Sequence, residues 1–328
     1  MRVAVTGASG HLGANLVRAL LEEGHEVVAL VREDVRALEG LRVRRIRGDL
    51  FEPAALRRAF EGSEVCFHAA GKIAITRDPT GEVRRTNQLG PRAVVAACLE
   101  TGVRRLVHVS SIHAFSASPT DAPTDESRGS IDGDRHASDY GRSKVLGEKE
   151  ILEGVAHGLD AVIVNPTGII GPHDWKPSRM GRFVLSVARG RLPALVEGGF
   201  NFVGAGDVAR GAIAAATRGR TGERYLLPGS WRSMTRLAQD IARLSGTRPP
   251  RIVVPAALAR LGAPIVETVS RWAGTSPLYT SESIQILREH REIRRDKAER
   301  ELGYAPRPLD ETIEETLAWF RGQGLLRA

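Results

Sequence analysis

Tyr140-Gly141-Arg142-Ser143-Lys144 sets a phenol and an ammonium four residues apart, which on a helix makes them neighbours on one face. A free phenol has a pKa near 10, too high for a ready base at neutral pH. A cation alongside favours the phenolate and brings that value down. The pair is a candidate general acid/base, against the plainer reading of an ordinary Tyr and Lys on a helix. No other tyrosine repeats the spacing: Gly229, Ser283 and Pro308 stand four residues after Tyr225, Tyr279 and Tyr304. Ser110-Ser111 closes an apolar strand with hydroxyls that can hydrogen-bond a substrate oxygen and hold it against the phenol. Successive strand side chains point to opposite faces, so one of the two faces the site; capping of the strand end is the competing role. His68, His108 and His113 also stand near strand ends, but no pair of histidines has metal-ligand spacing. They are read as packing residues, and no metal is expected.

The elements that must position these groups begin at the first residues. Val3-Ala4-Val5 is a short apolar strand. Thr6-Gly7-Ala8-Ser9-Gly10-His11-Leu12-Gly13 follows as a GxxGxxG turn, and Leu12, Leu16, Val17, Leu20 and Leu21 recur at helical spacing before Gly24, a left-handed helix end. Glu26 to Val31 is the next buried strand. This is the βαβ opening of a dinucleotide fold, in which glycines let backbone N–H groups approach a pyrophosphate at the positive end of the helix. The spacing differs from the GxGxxG fingerprint, so the strand before it and the periodic helix after it carry the reading.

Leu41 to Gly48 forms a third strand, followed by Asp49-Leu50 and a helix with Pro53 in its first turn. Glu64 to Ala70 is a fourth strand, Thr86 to Thr101 a helix closed by Gly102, and Arg105 to Ser111 a fifth strand. Ser138 or Asp139 caps a helix running to about His157, and Asp160 to Val164 is a sixth strand ending at Asn165-Pro166. Strands alternating with helices imply an α/β fold: a doubly wound, parallel Rossmann-type sheet with ligands at the carboxyl ends of its strands. Ser116 to Ser138, with Pro119, Pro123, Gly129 and Gly133, reads as a long surface loop. After residue 166 the pattern breaks into short elements punctuated by prolines, from Pro172 to Pro264 and Pro277. The expected division is a dinucleotide-binding domain over 1–165 and a substrate-binding cap over 166–328, with about 200–218 returning to the first.

The 328 residues suffice for a sizeable core, and the net charge is +8, carried mostly by Arg, with five Lys. The Arg are dispersed and interrupted by Glu, which is the pattern of a solvated surface; no nucleic acid is expected. No apolar run is long enough to span a bilayer. The opening strand leaves no room for a leader peptide, and Cys66 and Cys98 cannot build a disulfide framework, so a soluble cytoplasmic protein with two buried thiols is expected.

TGxxGxxG at 6–13, Asp49 in Gly-Asp-Leu, His68-Ala69-Ala70, Ser110-Ser111, Tyr140 with Lys144, and Asn165-Pro166 together resemble an extended short-chain dehydrogenase/reductase of the NAD(P)-dependent epimerase/dehydratase family. The resemblance runs to the tail, from Asp296-Lys297-Ala298 through Leu302-Gly303-Tyr304 to Pro306. Leu30-Val31-Arg32 and Gly181 to Ala216 are most similar to the dihydroflavonol 4-reductase-like and hopanoid-associated sugar epimerase-like groups. It implies Tyr140 as general acid/base, Lys144 lowering its pKa and binding the nicotinamide ribose, and Ser111 as the serine that orients the substrate. It also implies cofactor contacts at Gly7, Ser9, Gly10, His11, Leu12 and Gly13 around the pyrophosphate, at Asp49 and Leu50 beside the adenine, and at Ala69, Ala70, Pro166 and Thr167 on the nicotinamide side. Asn87 matches an Asn beside the family's active site. The chain departs from its relatives at Val203-Gly204-Ala205-Gly206-Asp207, where they commonly carry a His and a paired Asp.

Arg32, at the end of the second strand, decides the expected cofactor. An acidic residue there binds a ribose 2′-OH, whereas Arg pairs with a 2′-phosphate. NADP(H) is favoured over NAD(H), although Glu33 and Asp34 follow immediately and can play the other role. The expected activity is an NADP(H)-dependent oxidoreductase acting on a carbonyl or secondary alcohol of a small-molecule substrate. An epimerase or dehydratase of nucleotide sugars uses the same residues, and a non-catalytic nucleotide-binding protein is the alternative from another class. Apolar stripes on the helices over 86–101 and 139–157 match helices that pair across a dimer in relatives; they imply a homodimer, though such stripes are first of all core faces.

Overall fold

The computed structural model describes residues 1–74, 78–132, 137–263 and 280–327; Gly133, Pro264, Pro277 and Tyr279 lie outside them. Twelve strands are described: β1 (Arg2–Thr6), β2 (Glu26–Val31), β3 (Val43–Arg47), β4 (Val65–His68), β5 (Arg105–Val109), β6 (Asp160–Pro166), β7 (Gly168–Ile170), β8 (Ala194–Val196), β9 (Gly199–Gly204), β10 (Arg224–Leu227), β11 (Ser230–Ser233) and β12 (Ile252–Val254). Seven form one parallel sheet in the order β10-β6-β5-β4-β1-β2-β3. This is the doubly wound Rossmann-type architecture. The apolar runs of β1, β2, β4, β5 and β6 are buried on both faces, as a parallel sheet with helices on each side requires.

Alternation along each strand sorts the two faces. Val3 and Val5 pack with Leu16, Val17 and Leu20 of helix His11–Glu22 and with Val208, Ala209 and Ala212 of helix Ala205–Arg218. Ala4, Cys66 and Leu106 pack the other way, against Leu56, Phe60, Val94, Cys98 and Ile151 of helices Pro53–Phe60, Gly90–Thr101 and Asp139–Ala156. Both cysteines are free and buried. The sheet edge at β3 exposes Arg44, Arg45 and Arg47, charges that discourage pairing with another strand. Among the described residues, no helix is long and apolar enough to cross a membrane.

The helix expected from Thr86 is entered differently. Glu82–Arg84 makes a first turn and Arg85–Leu89 a wider π turn before Gly90–Thr101. Such turns re-aim side chains and recur at functional sites; this one carries Asn87. Most of the apolar stripe on these helices is core, with Val94, Cys98, Val145 and Ile151 buried, whereas Leu89, Leu99 and Leu152 are exposed. The described part of the expected long loop is tied down by isolated bridges, Phe115 with Ser130 and Thr124 with Ile293.

The second half builds a smaller cap over the carboxyl ends of the strands. It holds a three-stranded sheet, β11-β9-β7, and a parallel pair, β12-β8. Helices Arg179–Ala188, Met234–Ser245 and Leu309–Gly322 join Phe183, Val184, Leu237, Ile241, Ile313, Leu317 and Phe320 into one core with this cap. β10 leaves the cap region to complete the main sheet beside β6.

Candidate active site

Registers Thr6 with His68 and His68 with His108 bring the carboxyl ends of β1, β4 and β5 level, and the site is built on that ledge. Gly7 has φ +70, and a Cβ there would lie 2.5 Å from the backbone N of Ala70. A Cβ on Gly13 would lie 2.0 Å from the carbonyl of Gly7. The turn is a cradle that side chains would fill, closed by Gly10 N donating to Gly7 O at 2.9 Å, and it opens the helix His11–Glu22, which no side chain caps at its start. Asn15 and His11 tie this helix start to the carbonyls of Pro172 and Gly171, at 2.9 and 3.1 Å.

Tyr140 and Lys144 lie one turn apart on the Asp139–Ala156 helix, which Ser138 starts by accepting from Gly141 N at 2.9 Å. Both are buried and line one cavity of about 370 Å³ together with Ser110, Ser111, Gly7, Gly10, Gly13, Ala69, Pro166 and Thr167. The Ser111 hydroxyl stands beside the phenol and accepts from His113 N at 3.3 Å. It thus caps the short turn Ile112–Ala114 and faces Tyr140, while Ser110 faces the Glu148 carboxyl. Lys144 Nζ donates to Val109 O at 2.9 Å, its one hydrogen bond among the described residues; two of its N–H groups are left for the cavity. Asn87 accepts from Lys72 N at 2.8 Å and donates to Lys72 O at 2.8 Å and to Ser143 Oγ at 2.9 Å. It clamps the chain after β4 to the helix carrying Tyr140.

The phenol's pKa moves opposite to the sequence expectation. Burial pushes Tyr140 up to about 12, with only the Ser111 hydroxyl opposing. The ammonium expected to lower it is turned to the Val109 carbonyl, and desolvation of the phenolate wins. Burial also lowers Lys144 to about 8, against the pull of Glu148.

A buried polar layer supports the trio from below. Asn165 Nδ2 donates to Ser111 O at 3.1 Å and to Glu148 Oε1 at 2.7 Å, and Arg224 lies 3.7 Å from the same carboxylate. Thr6 hydrogen-bonds His68 at 2.6 Å, and the His68 and His108 rings lie 5.1 Å apart. Burial lowers His68 to about 3 and His113 to about 4, His108 well below the usual imidazole value, and His290, in the segment bridging to the 124 loop, to about 3. These rings stay neutral when folded and take up protons near pH 6.5 when unfolded. The unfolded chain therefore binds more protons below that pH, and stability falls as pH drops from 6.5 towards 4. The loss is about 1.4 kcal/mol per pH unit for each ring, partly offset by Glu126 and Glu148, which burial raises. Urea denaturation is expected to show a clearly lower midpoint at pH 5 than at pH 7; equal midpoints would mean the rings are charged in the fold.

At the other end of the crevice, Asp49 Oδ1 accepts from Phe51 N at 3.1 Å and Leu50 is buried. Beyond β2, Asp34 is paired with Arg36 at 2.8 Å and with Lys176 of the cap at 3.0 Å, and Glu33 with Arg47 at 3.9 Å. Arg32 is exposed and makes no ion pair among the described residues. The uncommitted charge at this strand end is positive. Asp207, where the chain departs from its relatives, is buried and holds Arg307 at 3.2 Å and Arg210. Among the described residues, no His, Cys, Asp and Glu cluster could hold a metal ion.

Of the cap residues that the sequence offers for a pocket, Trp175, Lys176, Arg179, Arg182, Phe183 and Trp231, the cavity is lined by Arg179 and Phe183; Met180, Phe200, Phe202, Met234 and Ile286 line it as well and carry no such signal in the sequence. Nor did the sequence reading place His113 there. That ring stacks on Phe200 at 5.6 Å and meets Tyr140 edge-on at 5.8 Å. Its position two residues after Ser111 was the available signal.

The model of the NAD dependent epimerase/dehydratase family matches residues 3–227. Sterol demethylase protein B of Methylococcus capsulatus is 36% identical over 330 residues, covering 99% of this chain and 100% of that protein. A Synechocystis protein named "Putative dihydroflavonol 4-reductase" is 32% identical over 329 residues, covering 98% and 95%. The crystal structure of gox2253 superposes with a TM-score of 0.86 at 33% identity, over 100% of this chain and 99% of that one.

Proposed function

Because this chain belongs to the NAD dependent epimerase/dehydratase family, an NAD(P)-dependent group of oxidoreductases and epimerases, we propose that it is an NADP(H)-dependent reductase of a carbonyl group, or dehydrogenase of the matching secondary alcohol. The observation that carries this reading is the convergence of Ser111, Tyr140 and Lys144 in one cavity with the glycine cradle. The bound dinucleotide supplies hydride for reduction and accepts it for oxidation. Ser111 holds the substrate oxygen against Tyr140 by hydrogen bonding. A phenol raised to about 12 is protonated at neutral pH, and so stands ready to give its proton to the oxygen of a carbonyl under reduction. The two remaining N–H groups of Lys144 suit ribose hydroxyls. The relatives named as a sterol demethylase protein and a dihydroflavonol 4-reductase support a role on carbon-rich substrates.

Preference for NADP(H) rests on Arg32, because the acidic residues beside it are already paired. Net oxidation of NADPH on adding a ketone, with none on adding a nucleotide sugar, tests the reaction. Arg32→Glu is expected to raise KM for NADPH about tenfold or more, the loss of one charge-assisted pair with a phosphate, while KM for NADH changes little. An equal rise for both cofactors would remove Arg32 from the 2′-phosphate.

A further inference from the structure

We infer that the substrate of this site carries its carbonyl or hydroxyl on a large apolar body, a lipid-like ketone or alcohol, and is not a nucleotide sugar; the inference rests on reading Ser111, Tyr140 and Lys144 as the hydride-transfer machinery. The wall facing that trio comes from four separate parts of the cap. Met180 and Phe183 stand on helix Arg179–Ala188, Phe200 and Phe202 on β9, Met234 at the start of helix Met234–Ser245, and Ile286 at the end of the short helix Ser281–Ile286. Phe183, Phe200, Phe202 and Met234 are buried. Phe200 is braced between Phe202, edge-on at 5.9 Å, and the stacked His113 ring. The wall is thus apolar and braced, with two methionines whose unbranched side chains adapt to an irregular hydrocarbon surface.

Among the described residues, the polar groups that the wall lacks are those a sugar needs. A sugar nucleotide brings several hydroxyls and a diphosphate, each of which gives up water on entry and needs a partner inside. Among the described residues, the hydroxyls on the cap side are already engaged. Ser178 Oγ donates to Asp174 at 2.7 Å and accepts from Gly181 N at 3.1 Å, and Thr167 donates to Asn201 at 2.9 Å. Arg179 is the only cap cation on the cavity among the described residues, and it lies against Arg182 and Glu282. An alkyl or ring body asks for none of these partners and gains from the aromatic wall.

The test is a homologous series of methyl ketones from short to long chain, reduced by the wild-type protein with NADPH, with UDP-glucose run as substrate and as competitor. The inference expects kcat/KM to climb roughly threefold for each methylene that enters the cavity, and UDP-glucose to be neither turned over nor competitive. A flat series with every ketone reduced, or competition by UDP-glucose, overturns it and leaves the hydride-transfer reading standing. NADPH binding, followed by cofactor fluorescence, with no reduction of any ketone overturns the hydride-transfer reading and this inference with it. Met180→Gln, close in volume, is expected to flatten the climb while the Kd for NADPH stays unchanged. An unaltered slope in that variant counts against the apolar wall.

Discussion

Tyr140→Phe is expected to lower kcat for carbonyl reduction by about 10³-fold, within the span of general acid catalysis, with the Kd for NADPH almost unchanged. The phenyl ring keeps the buried volume and the edge contact with His113 at 5.8 Å. It removes only the proton donor beside Ser111, whose hydroxyl keeps His113 N as a donor. Single-turnover hydride transfer separates this loss from binding, and a cofactor titration checks that the cradle is intact. A variant within tenfold of the wild type would sink the acid/base role and restore the alternative of a nucleotide-binding protein without catalysis.

The second large effect is expected at the cradle, from Gly7→Ala compared with Gly24→Ala. Both glycines have positive φ, +70 and +77, but a Cβ at Gly24 meets nothing within 4 Å, while one at Gly7 runs into the backbone of Ala69-Ala70. Gly24→Ala therefore measures the left-handed backbone alone, about 1 kcal/mol, with dinucleotide binding intact. Gly7→Ala adds a collision that only backbone movement relieves, a mechanism of the large-effect class at about 3 kcal/mol or more, and NADPH binding is expected to be lost. Urea melts and cofactor titrations of the two variants decide the matter. Equal costs and equal binding would mean that the close approach of the two loops is not what requires glycine at position 7.

These two sites were legible because their chemistry is local. The spacing of Tyr140 and Lys144 is one helical turn, and Gly7, Gly10 and Gly13 sit inside a single strand-turn-helix unit. The parallel sheet was legible for a related reason: Val3 to Val5, Cys66 to His68 and Leu106 to Val109 are apolar runs too continuous for a half-exposed strand. The cap wall was legible only at Arg179 and Phe183, because Phe200, Met234 and Ile286 come from elements with no shared period and meet only through tertiary packing. The π turn around Asn87 escaped for another reason, since one extra residue in a turn leaves helical periodicity almost undisturbed. The direction of the Tyr140 shift was misjudged because spacing shows the ammonium as a neighbour but neither the burial of the phenol nor the carbonyl of Val109 that claims the ammonium.

The Asn165 amide, shared between the Ser111 carbonyl and the Glu148 carboxylate one turn beyond Lys144, has a consequence for how such an enzyme can diversify. It welds the strand end bearing the serine to the helix bearing the tyrosine and lysine, so their spacing is inherited from the sheet side, and the roof reaches them through His113 stacked on Phe200. Changes in the roof that spare Phe200 can then exchange one clientele of molecules for another without shifting Tyr140. The reactive centre behaves as a fixed chassis, and the selectivity as bodywork.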